Sequence, residues 1–194
     1  TLVIGGGTAA IVLLHLGVLR PQYVMDLGGI DALRATSNNG SLRIGALTRI
    51  RTLERSADFA RTHALLAEAA AQVANVRVRN VATVGGAVAY GEPQTDTPVA
   101  LTALRASVEI TGAGGTRNVP IADFYRGPYE TVLEQGELVI AIDVPTPAPN
   151  SAGCHIKFTI GSPENKPVAN VSATLTIDPA SGKCTDATLV LGAV

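Results

Sequence analysis

The chain has 194 residues, 46% hydrophobic and 16% charged, which argues against disorder and leaves room for one large domain or two small ones. Size scaling gives a folded surface of about 8,600 Å² for such a chain, with about 70% of the unfolded surface buried. Fifteen Lys and Arg against sixteen Asp and Glu leave a net charge of −1, and aromatic residues are only 4%, with no Trp. There is no basic excess to grip a phosphate backbone and few rings on which to stack bases, so nucleic acid is excluded as a partner.

Leu2-Val3-Ile4 predicts a short buried strand. Gly5-Gly6-Gly7-Thr8 follows, then an apolar helical stretch through Leu19, stopped by Pro21. Gln22 to Leu27 predicts a second strand, completing a unit the size of a β–α–β crossover. Ile30 to Leu33 and Leu42 to Ala46 suggest a further turn and strand, with Thr36-Ser37-Asn38-Asn39-Gly40 as the turn cluster between them. From Ile50 through Leu53, Phe59, Leu65, Leu66, Ala69, Ala70 and Val73 the apolar spacing is helical, and Ala64 to Ala74 is rich in alanine. Residues 99–121 predict a short helix and then a hairpin turning at Gly112-Ala113-Gly114-Gly115. Leu138 to Val144 reads as a strand, and Pro145, Pro147 and Pro149 as a stiff connector. Val168–Ile177 and Ala187–Val194 are the last strands, joined by a turn at Asp178-Pro179-Ala180-Ser181-Gly182. The class is α+β.

No apolar run reaches the ~20 residues of a membrane span. The stretch from Ala9 to Leu19 is too short, and His15 interrupts it. Cys154 and Cys184 are too few for a disulfide framework, a four-cysteine zinc site or an iron–sulfur cluster. They read as reduced structural thiols of a cytoplasmic protein. Thr1 already lies in an apolar run, with no signal-peptide charge region before it, so the chain reads as starting in mid-fold.

Two glycine segments carry the chemistry. In Ile4-Gly5-Gly6-Gly7-Thr8 the glycines bring N–H groups close to an anion with no Cβ in the way, and Thr8 adds a hydroxyl. Alone, the run reads equally as a tight turn. It lacks the Gly-x-Gly-x-x-Gly spacing of a dinucleotide fingerprint, and no Gly-Lys-Ser/Thr occurs anywhere. The second segment, read as a loop, runs from Arg79 to Ala89 through Thr83-Val84-Gly85-Gly86. Beyond it Thr95 and Asp96 add a hydroxyl and a carboxylate, although Asp96 reads equally as an N-cap for a helix starting near Pro98. Two small-residue loops suit a ligand with two phosphates. His15, His63 and His155 are scattered and read as structural.

An ordered series runs along almost the whole chain: Gly6-Gly7-Thr8, Leu19-Arg20-Pro21, Asp26-Leu27, Ile44-Gly45-Ala46-Leu47-Thr48, Arg79-Asn80-Val81-Ala82-Thr83-Val84-Gly85-Gly86, Pro93 with Asp96, Gly136-Glu137-Leu138, Val144-Pro145 and Lys157-Phe158. The series resembles the FAD-binding (medium) subunit of the molybdenum hydroxylases, the family of xanthine dehydrogenase and aerobic carbon monoxide dehydrogenase. The resemblance implies a two-part α+β FAD-binding domain of the PCMH/vanillyl-alcohol-oxidase type over 1–150, divided into 1–49 and 50–150. The start of a small α+β C-terminal domain would follow over 151–194, with further chain expected before Thr1 and after Val194. Ile4, Gly5, Gly6, Gly7, Thr8, Thr83, Gly85 and Gly86 would cradle the FAD pyrophosphate through N–H groups and hydroxyls. Val73, Ala87, Ala89 and Tyr90 would line the cofactor site, and Thr95 and Asp96 would hold further polar groups of FAD. Leu138 and Val139 would pack near the isoalloxazine, and Lys157 would stabilise negative charge on reduced flavin. No residue is implied as a catalytic group or metal ligand.

The resemblance further implies a molybdopterin-binding large subunit and a small subunit with 2Fe-2S clusters as partners. Electrons would pass through FAD to NAD, a quinone or oxygen. Two departures stand out. The family usually has Asp or a similar residue after Gly-Gly-Thr and Asn after the second Gly-Gly, where this chain has Ala9 and Ala87. Two other readings compete: a stand-alone flavin-dependent reductase of the enolpyruvoyl-reductase type, and a flavin-free assembly scaffold, which Ala9 and Ala87 motivate.

Overall fold

A computed structural model describes all 194 residues. The chain opens with β1 (Leu2–Ile4), α1 (Ala10–His15) and β2 (Val24–Asp26), and β1 pairs parallel with β2. The helix expected to run to Leu19 stops at His15. Gly17 takes a left-handed φ of +67°, its N–H donates to Leu14 O, and Val18 N–H donates to Leu13 O. This paired closure satisfies the last carbonyls and turns the chain out of the helix.

Thr36 to Asn38, expected as part of a turn, is instead strand β3 (Thr36–Asn38), paired antiparallel with β4 (Ser41–Gly45) around Gly40. Pairing with an ordered neighbour overrides the turn propensity of Ser and Asn. Then come α2 (Ile50–Arg55), α3 (Ala57–Thr62), α4 (Ala64–Gln72), α5 (Val76–Arg79), α6 (Val84–Tyr90) and α7 (Asp96–Ala103). The helical stretch from Ile50 breaks at Ser56, whose Oγ accepts from Phe59 N–H and caps α3. Strands β5 (Ser107–Gly112), β6 (Gly115–Pro120), β7 (Tyr125–Gly127), β8 (Glu130–Thr131) and β9 (Leu138–Pro145) follow. The chain ends on β10 (Ser151–Phe158), β11 (Ala169–Ile177) and β12 (Cys184–Gly192). Strand β10 was not expected, although Ala152, Cys154, Ile156 and Phe158 alternate along it with Ser151, Gly153, His155 and Lys157.

A five-stranded antiparallel sheet, ordered β3-β4-β9-β5-β6, holds the core. It therefore crosses the division expected at residue 49, since β3 and β4 pair into the sheet of the later strands. Leu42, Ile44, Val108, Ile110, Ile142 and Val144 are buried on it. They belong to one hydrophobic cluster with Ile50, Leu53, Leu66, Val84 and Leu101 of the helices. On the other side, α4 packs on β10, and α7 on β11 and β12. The three-stranded sheet β10-β11-β12 is separate from the five-stranded one.

The outer face of this second sheet is apolar and open. Ile156, Phe158, Leu175, Leu189 and Leu191 are all more than half exposed. Both cysteines are on it, free and exposed rather than packed as structural thiols would be. The accessible surface, 10551 Å², exceeds the size-scaling expectation, as an uncovered sheet face requires. No helix is long and apolar enough to cross a membrane.

Two local devices fix the helices that matter for the site. Thr83 caps α6, its Oγ1 accepting from Gly86 N–H at 3.2 Å. Gly85 packs so close to the end of β4 that an added Cβ would lie 2.8 Å from Ala46 O. Helix α5 is tied to α2 by Arg79, whose Nε donates to Glu54 Oε2 at 2.7 Å while its Nη1 donates to Val73 O and Ala74 O. Burial pushes the Glu54 carboxyl up, but hydrogen bonds from Arg51 and Arg79 outweigh that and hold it below its ordinary 4.5.

Two outcomes are expected. Gly85→Ala should destabilise the chain by about 1–3 kcal/mol through overpacking, and Thr83→Ala by about 1 kcal/mol through the lost cap, both read by urea unfolding. A carboxyl with a lowered folded pKa contributes stability that is fully present above its ordinary value and is lost as pH falls through the folded one. Unfolding measured across the acid range should therefore show stability falling below pH 4.5, and Glu54→Gln should flatten that limb.

Candidate functional site

A cleft of about 630 Å³ opens between the β1–α1–β2 unit and the helical layer, within the ~300–1,000 Å³ usual for small-molecule sites. One wall is the first glycine segment, from Leu2 through Ala10. The facing wall is Val73, Ala74, Val78, Ala82 and Thr83, continued by Gly86, Ala87, Ala89 and Tyr90 of α6. The far end carries Glu92, Gln94, Thr95, Asp96, Thr97, Lys157 and the loop 164–167.

The two glycine segments touch. Gly6 packs against Val81 and Ala82 so tightly that a Cβ there would overlap the Val81 carbonyl oxygen. A Cβ on Gly5 would sit 2.9 Å from Thr83 Oγ1. Gly7 takes a φ of +71°, which turns the chain into α1. These glycines thus serve the packing of one segment on the other as well as the approach of a ligand.

The segments differ in what they offer. The N–H groups of residues 5 through 10 find no acceptor within the chain. Such a run of unpaired donors beside a cleft is an anion-binding surface. The second segment is not the loop expected from sequence. Its glycines lie in the first turn of α6, and their N–H groups are already spent. Val84 N–H donates to Thr48 O, Gly85 N–H to Ala46 O at 2.8 Å, Gly86 N–H to Thr83 Oγ1 and Ala87 N–H to Thr83 O. The expectation that Gly85 and Gly86 supply backbone donors is corrected accordingly. Gly85 does not line the cleft, and Gly86 forms part of its wall.

Charge at the cleft is largely self-paired. Lys166 Nζ meets Glu92 Oε2, and the Tyr129 hydroxyl donates to Glu92 Oε1 at 2.8 Å. Lys157 Nζ donates to Asp96 Oδ2 at 2.9 Å and to Gln72 O at 2.8 Å. An anion here must rely on the N–H groups of the first segment. Asp96 is no N-cap, because α7 begins at Asp96 and its carboxylate makes no capping bond. That carboxylate is buried and fully engaged: Oδ1 accepts from Asn170 Nδ2 at 2.9 Å and faces His155 Nε2 at 3.3 Å. Burial raises its pKa, but the hydrogen bonds from His155, Asn170 and Lys157 outweigh that and lower it, so Asp96 is anionic at neutral pH.

Leu138 and Val139 are not brought to the cleft. Both sit on β9, Leu138 half-buried at the start of the strand and Val139 in the core cluster. Ile4, Gly5, Gly6, Gly7, Thr8, Val73, Thr83, Ala87, Ala89, Tyr90, Thr95, Asp96 and Lys157 all line the cleft. Sequence reading passed over Thr97. It also lines the cleft, and its buried Oγ1 has no partner within the chain. Its place beside Asp96 was the one available signal. The free N–H run, the narrow glycine contact and this orphaned hydroxyl fit a pyrophosphate-bearing ligand such as FAD.

Residues 1–147 match the family described as the FAD binding domain in molybdopterin dehydrogenase. The chain is 39% identical over 145 residues to the glyceraldehyde dehydrogenase medium chain of Sulfolobus acidocaldarius, covering 73% of this chain and 51% of the relative. It is 30% identical over 191 residues to the carbon monoxide dehydrogenase medium chain of Afipia carboxidovorans, covering 97% and 65%. Among solved structures, reconstituted CO dehydrogenase from Oligotropha carboxidovorans superposes with a TM-score of 0.93 at 29% identity, covering 98% of this chain and 66% of that one. Quinoline 2-oxidoreductase from Pseudomonas putida 86 gives 0.91 at 28% identity, covering 99% and 66%. The chain spans between about half and two thirds of the length of these relatives. The family match runs through both glycine segments and most of the cleft, and the chain belongs to the family of FAD-binding domains of molybdopterin dehydrogenases.

Proposed function

We propose that this chain is the FAD-binding electron-transfer part of a molybdenum hydroxylase complex. The observation that carries the reading is the run of unpaired N–H groups from Gly5 to Ala10, on the cleft wall beside Thr83. Gly5 to Ala10 bind the pyrophosphate, and Thr8 and Thr83 add hydroxyls. Thr95 and Thr97 hold further polar groups, while Val73, Ala87, Ala89 and Tyr90 form the wall. Lys157 brings a positive charge to the far end. Bound FAD supplies the redox chemistry, taking electrons from the 2Fe-2S clusters of a small partner subunit and passing them to an acceptor such as NAD, a quinone or oxygen. The protein's share is binding, orientation and charge.

The partner set is supported by relatives named as medium chains or FAD-binding subunits of dehydrogenases. A molybdopterin-binding large subunit is the remaining partner. The open apolar face of the β10-β11-β12 sheet favours a chain that works in contact with further protein, since exposed apolar faces of this extent mark contact surfaces. A cytoplasmic location fits the two free thiols.

The test is purification of the native complex with an optical spectrum and a metal assay. Flavin, iron and molybdenum together support the reading, and a colourless, correctly assembled complex contradicts it. At the residue level, Gly6→Ala forces the first segment away from Val81. It should weaken FAD binding by about tenfold or more, the effect of losing roughly one charge-assisted hydrogen bond. Titration of the chain with FAD, followed by flavin fluorescence, reads this directly.

A further inference from the structure

Asp96 is an uncommon residue for a cofactor wall. It is almost fully buried, anionic, and surrounded by donors from two strands. From β11, Asn170 donates its Nδ2 to Oδ1. From β10, His155 faces Oδ1 through Nε2 while its Nδ1 lies 2.8 Å from Ser172 Oγ, a hydroxyl of β11 that is itself fully buried. The Ser172 hydroxyl can donate to Nδ1, which leaves the proton on Nε2, directed at the carboxylate. Also from β10, Lys157 donates to Oδ2. No oxygen of Asp96 is left facing the cleft without a protein donor.

Lys157 is the member of this group with capacity to spare. An ammonium has three donors. Two are used, on Asp96 Oδ2 and on Gln72 O at the end of α4, and the side chain lines the cleft. The whole side chain is only 4% exposed, so its head is held by these two acceptors rather than by solvent. Removing the carboxylate would leave a buried, flexible cation with one neutral acceptor.

We propose that Asp96 is a positioning residue: held by Asn170 and the His155–Ser172 pair, it fixes the Lys157 ammonium at the far end of the cleft and acts on the flavin only through Lys157. The inference rests on the FAD reading above and differs from the expectation that Asp96 holds polar groups of FAD itself. It assigns His155 and Ser172 to the same task, one layer behind Asp96. A clamp with this geometry also explains why polar His155, Asn170 and Ser172 occupy the inner face of a sheet that packs on α4 and α7.

The test is a double-mutant cycle on FAD affinity. Wild-type chain, Asp96→Asn, Lys157→Met and the double variant are each titrated with FAD, and each is melted without FAD to separate folding from binding. If Asp96 acts through Lys157, each single variant loses about tenfold in affinity and the double variant loses no more than Lys157→Met alone. Losses that multiply overturn the proposal, because they require Asp96 to touch FAD independently. His155→Phe serves if Asp96→Asn does not fold. It should weaken FAD binding in the wild-type background and leave it unchanged in the Lys157→Met background, and a loss that persists there overturns the proposal. Wild-type chain that takes up no FAD at all instead refutes the flavin reading, which is a separate result from binding with multiplying losses.

Discussion

The site depends on a backbone contact. Gly5 and Gly6 lie directly against Thr83 and the Val81–Ala82 peptide, with no space for a Cβ between them. The β1–α1–β2 unit is small, and much of α1 and β2 is exposed, so it has little core of its own. Its register on the helical layer is set by this contact and by the neighbouring Leu47 side chain. The helical layer is anchored in turn: Thr83 caps α6, and Gly85 fits against Ala46 at the end of β4. From the five-stranded sheet to the free donors of the first segment there is one continuous chain of close contacts. The cleft takes its width from that chain.

The division of labour between the two segments follows from the same contacts. Every early N–H of α6 is consumed by the anchoring itself. The first segment anchors through the absence of side chains rather than through hydrogen bonds, and its donors stay available. Similar glycine pairs therefore do different work, one holding the helix to the sheet and the other meeting the ligand. The side-chain groups that the family resemblance implies where Ala9 and Ala87 stand would matter less where backbone donors from Gly5 to Ala10 remain free. The cationic side chains near the cleft are already paired, so recognition of a pyrophosphate rests on geometry more than on net charge.

Much of this was legible in the residues. The β1–α1–β2 unit, the alanine-rich α4, the Gly112–Gly115 hairpin and strand β9 all follow from apolar spacing and turn residues. The glycine segments were legible as chemistry, and their order along the chain carried the family. Other features were hidden because they are tertiary. Val84–Tyr90 is a helix despite two glycines in its first turn, since Thr83 caps it and β4 receives it. Thr36–Asn38 is a strand because β4 offers an edge. Asp96 reads as a cap or a ligand contact until Asn170, His155 and Lys157 arrive from strands about 60 to 74 residues away in sequence. No local pattern announces such a convergence. Leu138 and Val139 mark the opposite limit, where a motif in the right order sits on a strand outside the cleft lining.

On the proposed function, the first segment binds the FAD pyrophosphate through N–H groups that are free without it, while those of the second segment are already paired. Residue-resolved amide hydrogen exchange on the chain with and without FAD tests it most directly. The N–H groups of residues 5 to 10 should exchange fast alone and become protected on FAD binding. Those of Gly85 to Ala87 should be protected in both states. Protection gained at Gly85 to Ala87, with residues 5 to 10 unchanged, would contradict it.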